Sequence, residues 1–262
     1  MIELRNVSFG YYDKQVLRNV SFTVEESEML VIMGPSGSGK STILRLILGL
    51  DCPQEGQILI DDENICVMRE KQKLEIRKRM GMVFQDGALF DSMTVGENVG
   101  YYLMEYTRLS WPEIADRAAE MLGFVGLDPD EVGDKLPEEL SGGMRRRVAI
   151  GRALLSTNPK IMLYDEPTTG LDPYQVQNVL SLITKLHVEK QISSIVVTHQ
   201  IADALEIADR FIVISGGEVA FNGSLNELRS SNDERVVEFL RPFRESHERV
   251  EAKRFLNHRE AH

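Results

Sequence analysis

Cysteine and tryptophan are scarce in this chain: two and one among 262 residues. Cys52 and Cys66 cannot build the disulfide framework of a small secreted domain, and their separation matches no metal or redox motif. They read as reduced, structural thiols. The five histidines are scattered, and three of them (His247, His258, His262) fall in the C-terminal tail. Long apolar runs are also missing. The best, ILRLILGL at 43–50, is interrupted by Arg45 and falls short of the roughly 20 residues that span a bilayer. Any membrane work therefore needs a span supplied by another subunit. A basic excess is absent too: 30 Lys and Arg against 41 Asp and Glu leave a net charge of −11. Nucleic-acid surfaces need a basic footprint, so no nucleic-acid partner is expected. There is no internal repeat and no low-complexity segment.

What remains is an ordinary globular composition, 42% hydrophobic and 27% charged, in a length that suits one large α/β domain. The first thirty residues alternate as two strands joined near Asp13-Lys14. MLVIM (29–33) is a short, wholly apolar run of the kind buried in a parallel sheet, and STILRLILGL (41–50) repeats apolar residues at helical spacing. GQILIDD and MGMVFQ (80–85) read as further strands, as do KIMLYDE (160–166) and SSIVVTH (193–199). Between about 90 and 150 the pattern is helical, with Ser110 as an N-cap and Glu113 three residues on. RFIVISGGEVAFNG ends the core as a hairpin turning at Gly216-Gly217. The expected fold is α/β: a P-loop NTPase, RecA-like parallel-sheet core with an N-terminal antiparallel β layer and an inserted α-helical subdomain. The domain spans 1–225, and 226–262 form a C-terminal tail. The tail holds a short amphipathic segment (Val236, Val237, Phe239, Leu240), to be read either as a solvated terminus or as a partner-binding extension.

Gly34-Pro35-Ser36-Gly37-Ser38-Gly39-Lys40-Ser41, followed by Thr42, fits the phosphate-loop pattern at every fixed position, after a strand and before a helix. Glycines let backbone N–H groups approach phosphate, and the helix N-terminus adds roughly half a positive charge. Lys40 is placed to reach the β/γ-phosphates of a nucleotide and Ser41 to offer a hydroxyl to Mg²⁺. Asp165, at the end of a buried strand, is the second metal partner. Glu166, one step further from the strand, is the candidate for polarising the attacking water. Gln85 ends another strand with an amide suited to metal and water. His199 terminates a strand at the edge where ligands bind in open parallel sheets, a position for a γ-phosphate contact.

LSGGM at 140–144 is a second glycine-rich turn, opening a helix that continues with Arg145, Arg146 and Arg147. A serine hydroxyl, glycine amides and a helix N-terminus form an anion site. The arginines after it read as a charged helix face. The combined order of phosphate loop, Gln85, LSGGM, IMLYDE, GLD at 170–172 and His199 resembles the ATP-binding cassette family over residues 2–222. The resemblance implies an ATPase that binds ATP and Mg²⁺. In the family, Ser141, Gly142 and Gly143 would cap the γ-phosphate held by a second copy, and Gly170 and Asp172 would carry contact between the two sites. An aromatic stacked on adenine is also implied: Tyr11 matches by spacing, Tyr12 is the alternative.

VFQDGALFDSMTVGENV, LSGGMRRRVAIGRAL and DEPTTGLDP look most similar to the ATPases of Mla/Mce-type phospholipid transport systems. That implies a transmembrane permease as partner, at the cytoplasmic face of an inner membrane. A small accessory subunit and a membrane-anchored lipid-binding protein are further implied partners. Leu89, Phe90 and Met93 would dock the permease or pack within the domain. The rival reading is a cassette ATPase regulating a non-transport complex of the cell-division type, or a transporter of another substrate.

Overall fold

The structure is a computed structural model that describes residues 1–157, 159–243 and 245. Two sheets form its centre. The first is antiparallel and N-terminal: β1 (Ile2–Tyr11) lies between β2 (Lys14–Val24) and β4 (Glu55–Ile60), with the short β5 (Glu63–Asn64) at the edge. The β1–β2 turn is Tyr12-Asp13, one residue earlier than expected, and Tyr12 takes a left-handed φ of 51°.

The second sheet runs β10-β9-β3-β8-β7-β6. Its members are β3 (Met29–Met33), β6 (Met80–Val83), β7 (Ile161–Asp165), β8 (Ser193–Thr198), β9 (Arg210–Ser215) and β10 (Glu218–Gly223). All neighbours pair in parallel except β10, which returns antiparallel to β9 through the Gly216-Gly217 turn. β6 stops at Val83, two residues short of the expected end, so Gln85 lies in the loop beyond it.

β3 is buried on both faces. Met29, Val31 and Met33 point into one apolar cluster, Leu30 and Ile32 into the other, as the two-residue period of a strand requires. The strand is therefore the wall between two cores. It pairs Met33 with Thr198 of β8, and β7 pairs Asp165 with Val197. This register brings the C-terminal ends of three adjacent strands level, placing Gly34, Asp165-Glu166 and His199 along one sheet edge.

Helices α1 (Lys40–Ile47), α2 (Glu70–Arg77), α7 (Pro173–Lys190), α8 (Ile201–Ile207) and α9 (Leu225–Arg229) surround the sheets. The inserted arm consists of α3 (Val95–Tyr106), α4 (Trp111–Phe124), α5 (Pro129–Val132) and the start of α6 (Gly142–Thr157). Thr94 and Glu97 cap α3 reciprocally, and the Glu113 carboxylate accepts from the Ser110 N–H at 2.7 Å, as the spacing predicts. Asn98, fully buried on α3, fixes the loop before it. Its side chain accepts from the Phe90 N–H and donates to the Phe90, Met93 and Thr94 carbonyls.

The chain is helical again over 234–243. Val236 and Leu240 are buried there in the same cluster as Met29 and Val31. That part of the tail is thus not a solvated terminus, because its apolar face completes the core. Residues 246–262, with His247, His258 and His262, lie outside the described residues.

Candidate nucleotide site

The phosphate loop leaves β3 and enters α1 through Gly39, whose φ of 103° favours glycine. No side chain caps α1, so the amides of its first turn are left for an anion. A Cβ at Gly34 would stand 2.2 Å from the Ile214 carbonyl oxygen, so only glycine lets the loop pass β9. Ser38 Oγ is buried in the loop with no hydrogen-bond partner, a donor awaiting an oxygen-rich ligand. Lys40 Nζ, also buried, donates to the Gly34 and Pro35 carbonyls at 2.9 and 3.1 Å and lies 3.8 Å from a Glu166 carboxylate oxygen. Burial pulls the Lys40 ammonium below its ordinary value, against the opposing pull of Glu166 and Asp165.

Ser41 Oγ donates to Asp165 Oδ1 at 2.8 Å. Burial raises the Asp165 carboxyl above its usual range, offset in part by that hydroxyl. The pair is an all-oxygen donor set of the kind Mg²⁺ takes when phosphate and water complete its shell. Among the described residues, no group of three His, Cys, Asp or Glu could hold a metal by itself.

Glu166 follows β7 with a left-handed φ of 48°, a strained conformation for a non-glycine residue. Its N–H is tied to the Val197 carbonyl, so the turn is fixed from β8. The carboxylate is nearly buried. One oxygen faces Lys40, and the other accepts from Thr169 Oγ1 at 2.9 Å and stands 2.8 Å from His199 Nδ1. Gln85 is exposed in its loop, and no hydrogen bond joins its amide to Ser41 or Asp165.

Ser141, Gly142 and Gly143 lie at the head of α6, with Ser141 exposed. Among the described residues, no hydrogen bond links them to the phosphate loop of the same chain. Ser141 Oγ accepts from the Met144 N–H, and the Gly143 N–H donates to the side-chain oxygen of Gln175 on α7. Asp172 caps α7, accepting from the Gln175 N–H at 3.0 Å, and Gly170 precedes it with a φ of 80°.

Residues 17–169 match the ABC transporter family. The chain belongs to that family. It is 39% identical over 241 residues, 92% of this chain and 90% of the relative, to the intermembrane phospholipid transport system ATP-binding protein MlaF of Haemophilus influenzae. It is 42% identical over 222 residues, 85% of this chain and 61% of the relative, to the methionine import ATP-binding protein MetN of Corynebacterium efficiens. An ATP-binding cassette solved as a dimer in a post-hydrolysis state with ADP and Pi superposes with a TM-score of 0.77 at 37% identity, covering 86% of this chain and 99% of that one. A Clostridium perfringens cassette, part of the cbiONQ transporter complex, gives 0.78 at 29% identity, with 91% and 93% covered. The chain is an ABC ATPase, an ATP-hydrolysing subunit with a P-loop NTPase fold.

In this ABC ATPase the arginines after the signature turn are not a solvated face. Arg145 donates to the Leu140 carbonyl at 2.7 Å and Arg147 to the Gly126 carbonyl at 2.6 Å. Arg146 is buried and reaches the Phe84 carbonyl at 2.8 Å and the Thr169 carbonyl at 3.5 Å. Arg152, one more turn along, donates to the Gly87 and Ala88 carbonyls and lies over the Phe90 ring. Charge at these positions in the sequence suggested solvent; only the fold shows backbone carbonyls converging on the helix. Nothing in the spacing pointed to Gln175 or Thr169 either.

Tyr11 borders a cavity of about 450 Å³ that also involves Pro35, Ser36, Ser38 and Gly217. Its ring packs edge-on against Phe9, and its hydroxyl reaches Asp51 at 3.4 Å. Tyr12 is fully exposed in the turn and does not line that cavity. Of the three candidate docking residues, Leu89 packs on the core, while Phe90 is exposed and rests on Tyr101. Cys52 and Cys66, 14 positions apart in sequence, are close neighbours in space. Cys52 Sγ is 4.0 Å from the Cys66 carbonyl and 4.0 Å from Lys73 Nζ. Among the described residues, no helix is long and apolar enough to cross a membrane.

Proposed function

We propose that this ABC ATPase is the ATP-driven motor of a phospholipid transport system, working as a dimer beneath a separate transmembrane permease. The carrying observation is the convergence of Lys40, Asp165, Glu166 and His199 at one sheet edge, with the Glu166 carboxylate held between Lys40 and His199. The substrate class is favoured by the extent of the match along this chain: 92% of it aligns with the phospholipid-transport relative and 85% with the methionine-import relative.

In this reading the α1 amides, Ser38 and Lys40 bind the β- and γ-phosphates, and Tyr11 stacks on adenine at the cavity beside the loop. Gly34 to Thr42 form the cradle as a unit. Ser41 and Asp165, with Gln85, would hold Mg²⁺, which supplies charge neutralisation on the phosphate oxygens when bound. Glu166 orients the attacking water and accepts its proton. Lys40 stabilises the charge that develops on the transferred group, and His199 fixes the Glu166 carboxylate and faces the γ-phosphate. Ser141, Gly142 and Gly143 complete the partner chain's site, with Asp172 between the two. The left-handed turn at Glu166 keeps that geometry ready before substrate arrives.

Residues 1–225 serve as the cassette with its helical arm, and the segment from 226 extends it. The workplace is the cytoplasmic face of the inner membrane. The permease, a small accessory subunit and a membrane-anchored lipid-binding protein are the partners. Affinity capture from solubilised native membranes with the Glu166→Gln protein and ATP tests this. A multi-pass permease together with a lipid-binding anchored protein supports it. A methionine-type importer or a cell-division complex in their place refutes the phospholipid assignment.

A further inference from the structure

Arg146 is a costly side chain to bury near the site. It is 4% exposed, forms no ion pair among the described residues, and its Nε has no hydrogen-bond partner. Burial pulls its guanidinium below the ordinary value, with Asp86 pulling the other way and Arg145 adding to the decrease. A buried cation without a contacting carboxylate is expensive, and an apolar residue of similar volume is often the more stable choice. What this cation touches explains its presence. One amino group donates to the Phe84 carbonyl, directly before Gln85, and the other faces the Thr169 carbonyl, directly before Gly170. Thr169 in turn donates to the Glu166 carboxylate through its hydroxyl.

The side chain also springs from the first turns of α6, the helix headed by Ser141, Gly142 and Gly143. One rigid guanidinium therefore joins three pieces: the helix that serves the partner's nucleotide, the loop of Gln85 in its own site, and the loop of Asp172 between the sites. A planar fork with five donors suits two carbonyls at a fixed separation; a lysine ammonium on a flexible stem does not.

Resting on the ATPase reading above, we propose that Arg146 is a positioning residue for hydrolysis, holding the Gln85 loop and the Asp172 loop in register with the signature helix. It touches neither nucleotide nor water and acts through the loops it braces. Its loss should therefore lower turnover while leaving ATP capture by the phosphate loop in place.

The test uses the full chain with Arg146→Met and Arg146→Lys, and with Arg147→Met as a reference. Arg147 lies on the same helix but braces the turn after α4, away from both loops. The expected result for Arg146→Met is a kcat lower by about tenfold to a hundredfold with KM for ATP within about threefold, because loop misplacement of this size has such costs. Arg146→Lys should fall between Met and wild type, and Arg147→Met should keep its kcat. In a Glu166→Gln background, Arg146→Met should also weaken ATP-driven dimerisation as measured by size-exclusion chromatography. Should Arg146→Met fail to fold, Arg146→Lys alone decides by the same kcat-against-KM comparison. Wild-type kcat in the folded Arg146 variants overturns the proposal. So does a kcat loss shared equally by Arg147→Met, which marks a common effect on folding. If Glu166→Gln itself hydrolyses ATP at the wild-type rate, it is the underlying assignment of the site that fails.

Discussion

His199 Nδ1 and Glu166 Oε2 are 2.8 Å apart across the ends of β8 and β7, so the imidazole meets the carboxylate with its Nδ1 edge. Thr169 holds the same oxygen from the other side at 2.9 Å. Replacing His199 by alanine leaves Glu166 with Thr169, Lys40, the Thr198 hydroxyl and the backbone N–H of position 199 as its remaining anchors. The expected outcome is a fall in kcat of about a hundredfold, the usual weight of a group that fixes a general base. ATP binding, read by fluorescence of a labelled analogue, should change only a few-fold. Unchanged turnover would show that the other anchors suffice.

Gln175 occupies the Gly143 N–H with its side-chain oxygen. In the proposed dimer that amide would donate to the partner's phosphate, and Gln175 would then compete for it. Gln175→Ala should strengthen ATP-driven dimerisation of the Glu166→Gln protein by about fivefold, the equivalent of one net hydrogen bond. Sedimentation velocity at several protein concentrations measures it. A weaker dimer would mean that Gln175 positions the amide instead of guarding it.

Burial, reinforced by the Cys52 thiol beside it, pushes the Cys66 thiol up to about 12. The folded chain thus keeps Cys66 protonated where the unfolded chain ionises it, from ~8.5 upward. Two consequences are measurable. Iodoacetamide at pH 8 should modify the exposed Cys52 and spare Cys66 until the protein is denatured, as counted by intact mass. Stability should decline as pH climbs from ~8.5 towards 12, and a Cys66→Ser variant should lose part of that dependence.

Leu240 is buried on the same cluster as β3. Truncating it to alanine should cost about 2–4 kcal/mol in urea unfolding, the range for buried leucines. A cost near zero would place the 234–243 helix outside the cooperative unit. ATPase kcat in the folded fraction should not change, because no hydrogen bond or ion pair among the described residues joins Leu240 to the phosphate loop.

Much of the site was readable from residue order alone. Phosphate loops, strand-end acids and strand-end histidines depend on short runs of sequence whose local structure dictates the chemistry, so Lys40, Ser41, Asp165 and Glu166 could be placed before any fold was known. Arg146, Gln175 and Asn98 could not. Each works by donating to or accepting from backbone of a distant segment, and backbone carbonyls leave no trace in residue identity. The segment 236–240 is ambiguous in the sequence for a related reason. Four apolar residues over 236–240 cannot show whether a core lies beneath them, because the other wall of that core is made by strands some two hundred positions earlier. Tyr11 was separated from Tyr12 only when the turn position was fixed, since a single residue decides which ring faces the cavity.

The position of β3 as the wall between two cores has a kinetic side. Amides of a strand buried on both faces exchange with solvent only when both clusters open together, which for a domain of this kind means unfolding of the whole. The phosphate loop is the direct continuation of that strand, whereas the signature turn is carried on the inserted arm. Of the two surfaces that would grip a nucleotide, one continues the last part of the molecule to open, and the other is joined to the core through the side chains of Arg146 and Gln175.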